Sequence, residues 1–251
     1  FYREDIEQLG EWAELYVITK DGEVRKSYFP FGITADGGLI STVRDLSNYI
    51  LMYLNDGEFD GKRIIGKEYL DLMLSEHIKM PYEAEYYYGY GWIINKDFLG
   101  YRLVQHSGSV LVHTAFVGFI KEKNIGVAIL ANASGYPLYQ IGYYVLASLL
   151  GKDPEKLDFV VKERILRRLE GRYYTYKNTT YYDVERVGSF LVLTQRFREF
   201  ETKVILVPER IEEDYARFYT IIRNVKLPVE FIIEKDRIIL YYERYKLIKK
   251  V

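Results

Sequence analysis

The spacing of apolar and polar positions divides the chain into two stretches. In the first, helical and strand periods are mixed. Residues 14–19 and 23–28 flank Asp21-Gly22, a dipeptide that predicts a β-hairpin. Ser41-Thr42-Val43-Arg44-Asp45 predicts a helix start. Leu46, Ile50, Leu51 and Leu54 then recur at the spacing of a buried stripe, which Asn55-Asp56-Gly57 ends. A second helix is predicted over 66–74, with Tyr69, Leu70 and Met73 on one side. Strands are predicted over 101–107, 114–121 and 126–132, and Lys123-Asn124 turns the last two. A helix over 137–150 carries Pro137 near its first turn.

In the second stretch, short runs of Tyr, Val, Ile and Phe alternate with turns. Strands are predicted over 172–176, 180–187, 190–194, 203–207, 218–223, 229–234 and 237–242, with tight turns at Gly188-Ser189 and Lys235-Asp236. Strands this short and closely spaced predict an antiparallel barrel or sandwich. Its interior either binds an apolar ligand or is filled by side chains, as in many small barrels. A helix over about 159–169 leads into it. Gly151 and Pro154 mark the join, and charge changes across it. Residues 160–251 hold 20 Lys and Arg against 14 Asp and Glu, whereas the preceding residues hold 15 against 22. The shift reads either as scattered surface charge or as attraction between the units or between subunits.

Composition narrows the chemistry. The 251 residues include no Cys, which removes disulfides, thiolate metal sites and a Cys nucleophile. Three His leave little room for a multi-His metal centre. A net charge of −1 gives no polyelectrolyte signature for nucleic acid. The longest apolar runs, such as residues 126–133, fall far short of the roughly 20 residues of a membrane span. A hydrolase without Cys or metal would most plausibly use Ser, yet none of the nine Ser is followed three residues later by Lys, and Gly-x-Ser-x-Gly does not occur.

The most unusual segment is Gln105-His106-Ser107-Gly108-Ser109, at the end of a predicted strand. It offers an imidazole, a hydroxyl, a residue small enough for close approach, and at Ser109 a backbone N–H able to polarise a carbonyl. His106 alone reads equally as a structural strand residue tied to a neighbour. His113 lies in the loop beyond, and His77 follows a helix and is expected to be solvated. Upstream run Ala35-Asp36-Gly37-Gly38-Leu39-Ile40-Ser41-Thr42-Val43-Arg44-Asp45-Leu46 and Tyr88-Gly89-Tyr90-Gly91-Trp92. Gly118-Phe119 and Ala128-Ile129-Leu130-Ala131-Asn132 come after. Tyrosines 86–90 are expected either to wall a cleft or to pack.

This order resembles the C-terminal half of the serine β-lactamase and penicillin-binding-protein superfamily, in particular its CubicO-type, class C-like branch, over about residues 1–150. The family uses Ser-x-x-Lys, then Tyr-x-Asn, then Lys-Thr-Gly or a His variant. His106-Ser107-Gly108 matches the third. Tyr53-Leu54-Asn55 fits the second only by chance, since it falls late and within a helix. The resemblance therefore implies that nucleophile and Tyr precede this chain. Leu169-Glu170-Gly171-Arg172-Tyr173-Tyr174 resembles the opening of the lipocalin-like domain found in some members. The implied fold is α+β: the C-terminal part of a β-lactamase-like sandwich (1–156), a connecting helix (157–170) and a lipocalin-like antiparallel barrel (171–251).

The implied activity is a serine peptidase or amide hydrolase acting through an acyl-enzyme, in this fragment alone inactive. An esterase or β-lactamase, or a catalytically silent protein with a ligand-binding or assembly barrel, stays open. His106 is the implied catalytic residue, with Ser107, Gly108 and Ser109 at the substrate and oxyanion positions. No cofactor or metal is implied. The partners implied are a peptide or small amide or ester substrate, the N-terminal half of the protein, and further copies. Similar archaeal peptidases assemble as cage-like octamers. Residues 1–12 show no run of basic and then apolar residues, and the location expected is cytoplasmic. Abundant Lys, Glu, Arg, Ile and Tyr suit a hyperthermophile.

Overall fold

The computed structural model describes residues 12–19, 21–28, 37–82, 85–188, 190–197 and 200–250. They fall into two compact units, Phe1–Pro154 and Glu155–Val251.

The first unit opens with the hairpin β1 (Tyr16–Ile18) and β2 (Val24–Lys26), turned at Gly22. Helix α1 (Val43–Leu54) follows. Thr42 caps it: its Oγ1 accepts from the Asp45 amide at 3.1 Å and donates to Asp45 Oδ2 at 2.9 Å. This accounts for the Ser-Thr-x-x-Asp pattern as a helix start. A small hairpin, β3 (Glu58–Phe59) with β4 (Lys62–Arg63), leads to α2 (Lys67–Met73).

A six-stranded antiparallel sheet then forms in the order β10-β9-β8-β7-β6-β5. Its strands are β5 (Ile78–Lys79), β6 (Tyr86–Tyr88), β7 (Ile93–Phe98), β8 (Tyr101–Ser109), β9 (Thr114–Ile120) and β10 (Ile125–Ala131). Helix α3 (Leu138–Leu149) closes the unit. Phe116 and Phe119 lie three apart on β9 and so face opposite sides of the sheet. Phe119 meets Tyr53 of α1 with ring centroids 5.4 Å apart, and Trp92 at 5.3 Å. Phe116 packs on Gly142 of α3 and on Tyr143. The two helices thus cover the two faces.

Two assignments on these helices need correction. Leu51 is 44% exposed and Leu46 half-buried, while Met52 and Tyr53 are buried. Helix α1 presents Ile50 and Tyr53 to the sheet, three residues apart, which turns Leu51 outward. On α2, Leu70 is buried but Tyr69 is 61% exposed. Strands β3 to β7 were not anticipated. The strand predicted over 101–107 runs two residues further, to Ser109.

The second unit begins with α4 (Asp158–Leu169). Eight strands then close into a barrel in which every strand pairs with its sequence neighbour. They are β11 (Gly171–Tyr174), β12 (Tyr181–Val187), β13 (Phe190–Phe197), β14 (Phe200–Ile211), β15 (Tyr215–Ile222), β16 (Val225–Ile233), β17 (Arg237–Tyr242) and β18 (Tyr245–Lys250). The last was not anticipated. The interior is filled by side chains, among them Tyr173, Leu193, Phe218, Phe231, Leu240 and Leu247.

Helix α4, expected as a connector, belongs to this unit: Ile165 and Leu169 are buried in the barrel's own core. Polar ties reinforce it. Glu163 meets Arg186 at 2.5 Å, and Arg164 meets Glu213 at 3.2 Å. At the helix C-terminus, where carbonyls lack helical partners, Tyr173 donates to the Leu169 carbonyl at 2.7 Å. Lys249 Nζ donates to the Arg168 carbonyl at 2.7 Å and also to that of Glu170.

Candidate active site

Residues His106, Ser107, Gly108 and Ser109 form the last four positions of β8. On one side they pair with β9, in the register His106 with Val117, Ser107 with Phe116, Gly108 with Ala115 and Ser109 with Thr114. On the other side the pairing with β7 stops at Gln105, opposite Ile93. The strand therefore outruns its neighbour by four residues. Along these four, the β7-side edge has no strand partner among the described residues. Ser107, Gly108 and Ser109 are exposed, and His106 is half-buried.

The imidazole of His106 is held at both nitrogens. Nδ1 lies 2.7 Å from the carbonyl oxygen of Ser107, and Nε2 lies 3.0 Å from the Tyr88 hydroxyl. A carbonyl only accepts, so Nδ1 carries the hydrogen, and in the neutral ring Nε2 is left to accept from Tyr88.

Tyr88 is placed by the turn that follows it. Gly89 donates to the Trp92 carbonyl at 2.8 Å, and Gly91 has a φ of +75°. A Cβ on Gly89 would lie 2.4 Å from the Met73 carbonyl oxygen at the end of α2. Only glycine permits this approach. The Tyr-Gly-Tyr-Gly-Trp run is thus a turn packed against a helix end, and its first Tyr reaches the site. The tyrosines expected as a wall or as packing form β6 and this turn. Tyr86 accepts from Asn95 Nδ2 at 3.1 Å and pairs with Tyr143 at 3.5 Å.

The other histidines stand apart from these contacts. His77 is exposed, with Nε2 2.8 Å from the Leu72 carbonyl and its ring against Tyr90. His113 sits half-buried in the β8–β9 connection, where burial pulls its pKa below the usual 6.5. Tyr53 is buried in the aromatic cluster on α1. Of the Gly-Gly-Leu segment, Ala35 and Asp36 lie outside the described residues, and Gly37 and Gly38 precede the α1 cap. A cavity of about 200 Å³ in this unit is lined by Leu74, Arg102, Val104, Phe119, Lys121 and Glu122, and by none of the four strand-end residues. Among the described residues, no cluster of three or more His, Cys, Asp or Glu is placed to hold a metal ion. No described helix is long and apolar enough to cross a membrane.

A two-faced antiparallel sheet bearing His-Ser-Gly at an open strand end, with a closed barrel after it, defines a β-lactamase-like protein with an appended β domain. The beta-lactamase family model matches residues 1–151, and the chain belongs to this family. The model of the Pab87 octamerisation domain matches residues 154–248. Among solved structures, the chain is similar to the octameric penicillin-binding protein homologue from Pyrococcus abyssi. The two share 45% identity with a TM-score of 0.89, over 99% of this chain and 56% of that one. Similarity to SurE is much lower, at 15% identity and a TM-score of 0.41, over 95% of this chain and 56% of that one. The chain thus spans about half the length of the solved structures it matches. Comparison with curated proteins gives no significant match.

Proposed function

We propose that the chain is the C-terminal part of a serine hydrolase, a peptidase or related amide or ester hydrolase, in which the end of β8 forms one wall of the active site. The observation that supports this reading is the four-residue overrun of β8 past β7, within a β-lactamase family domain. An acylating Ser and its activating amine come from sequence outside these residues. Ser attacks the substrate carbonyl, and water resolves the acyl-enzyme.

Each strand-end residue has a role. Ser107 hydrogen-bonds a substrate carbonyl or carboxylate. The Ser109 N–H is one oxyanion donor, an interaction worth about 2.7–4 kcal/mol in the transition state. A Cβ on Gly108 would meet only Ala115, at 3.8 Å. Packing therefore does not demand glycine there, and its use is to leave the edge open to substrate. His106 borders the cleft, binding substrate and taking part in proton transfer. The barrel assembles the protein into octamers, as the domain model matched over residues 154–248 suggests.

Fluorophosphonate labelling tests the hydrolase reading. Full-length protein is expected to take one label per chain, and the 251-residue chain alone none. Turnover by the purified chain alone, or an unlabelled full-length protein, would overturn it. A penicillin probe run in parallel separates a β-lactam-reactive site from a peptidase or esterase.

A further inference from the structure

We infer that Tyr88 is a positioning residue for His106: with the Ser107 carbonyl holding the proton on Nδ1, the Tyr88 hydroxyl occupies Nε2, the atom the imidazole would otherwise offer to the cleft. The inference deepens the hydrolase reading and rests on it for the role of the cleft, but the geometry behind it is independent.

The two contacts on the ring are chemically unequal. The Ser107 carbonyl can only accept, so it demands a hydrogen on Nδ1. The tyrosine hydroxyl can donate or accept, and with Nδ1 protonated in the neutral ring it donates to Nε2. Both partners are fixed by backbone. The carbonyl belongs to the next residue of the same strand. Tyr88 ends β6, with its own carbonyl accepting from the His77 amide at 3.2 Å and the glycine turn locked behind it. The rings stand edge to face, their centroids 5.8 Å apart.

The resting imidazole therefore presents no free lone pair. A group that uses Nε2 must displace the Tyr88 hydroxyl or exchange protons through it. If Nε2 takes up a proton, the imidazolium becomes the donor, and Tyr88 turns its own hydrogen away and accepts. Proton movement at Nε2 thus either displaces the Tyr88 hydroxyl or passes through it.

Imidazole nitrogen chemical shifts report the tautomer directly. Only three His contribute, and a His106→Gln spectrum identifies the signal. His77, whose Nε2 faces a carbonyl, is an internal standard of the opposite tautomer. At a pH where His106 is neutral, the chain is expected to show Nδ1–H at His106. In Tyr88→Phe the Nδ1–H form should persist, because the Ser107 carbonyl sets it, while the Nε2 resonance should move downfield as its lone pair loses the hydroxyl's hydrogen bond. The His77 signal should stay unmoved, which also reports that the fold is intact.

A proton on Nε2 of His106 in the unsubstituted chain would overturn the inference, whether or not the variant folds. So would an unmoved Nε2 resonance in Tyr88→Phe. Absence of fluorophosphonate labelling would remove the hydrolase reading and leave the tautomer result standing.

Discussion

Single residues decide close contacts in this fold, and Gly142 shows how. It sits in the middle of α3, where Ala would ordinarily gain about 1 kcal/mol of helix propensity. A Cβ there would lie 2.2 Å from Cε1 of Phe116, which is fully buried and cannot swing away. Overpacking of this kind costs about 1–3 kcal/mol, so the clash outweighs the propensity gain. Gly142→Ala is expected to lower the melting temperature of the chain, and a rise would contradict the packing of α3 on β9. The same scale shows what could be read beforehand. The strand end at His106 was legible, because the apolar run of Leu103 and Val104 stops just before it. Tyr88 was not, because it lies 18 residues away and only the register of β6, β7 and β8 brings its hydroxyl to the ring.

At the scale of elements, helix α4 is part of the barrel. Its two buried side chains, Ile165 and Leu169, carry the attachment, with the ion pairs and the Lys249 contacts at its margins. Surface pairs of this sort contribute about 0.2–1 kcal/mol each, whereas truncating a buried Ile costs about 2–5 kcal/mol. Ile165→Ala is therefore expected to destabilise the second unit by far more than Arg164→Ala, as judged by denaturant titration. Equal effects would mean that the charges hold the helix.

Seven of the eight barrel strands were anticipated because short runs rich in Tyr, Val, Ile and Phe alternate with turns. The eighth, Tyr-Lys-Leu-Ile-Lys-Lys, escaped because only Leu247 along it is fully buried. In the first unit, β6 was hidden by a run of consecutive tyrosines, which has no alternation. Strands β3 to β5 are two residues each, too short to carry a period. The face of α1 was misread for a different reason. The stripe was drawn through Leu46, Ile50, Leu51 and Leu54, while the sheet receives Ile50 and the ring of Tyr53.

For the whole molecule, the fold divides into two compact units between Pro154 and Glu155. The proposed assembly follows from the second unit. Native mass spectrometry of the chain is expected to give a species eight times its 29.7 kDa mass, and a monomer at micromolar concentration would contradict it. Outward charge on the barrel is organised into networks: Asp183 is held between Arg172 and Arg196, and Arg196 also reaches Glu185 and Glu201. These residues form their pairs within one chain, so they cover the surface without demanding a partner.

The closed barrel has a consequence for how copies can recognise one another. Each of its strands is paired on both sides along at least part of its length, so no described strand lies wholly open to a neighbour. Recognition between copies then falls chiefly to side chains, on a backbone that closes whether it stands singly or in company. Valency becomes a surface property, one that could be erased by a few substitutions or carried to another protein by fusing this unit, with its helix, to a different chain.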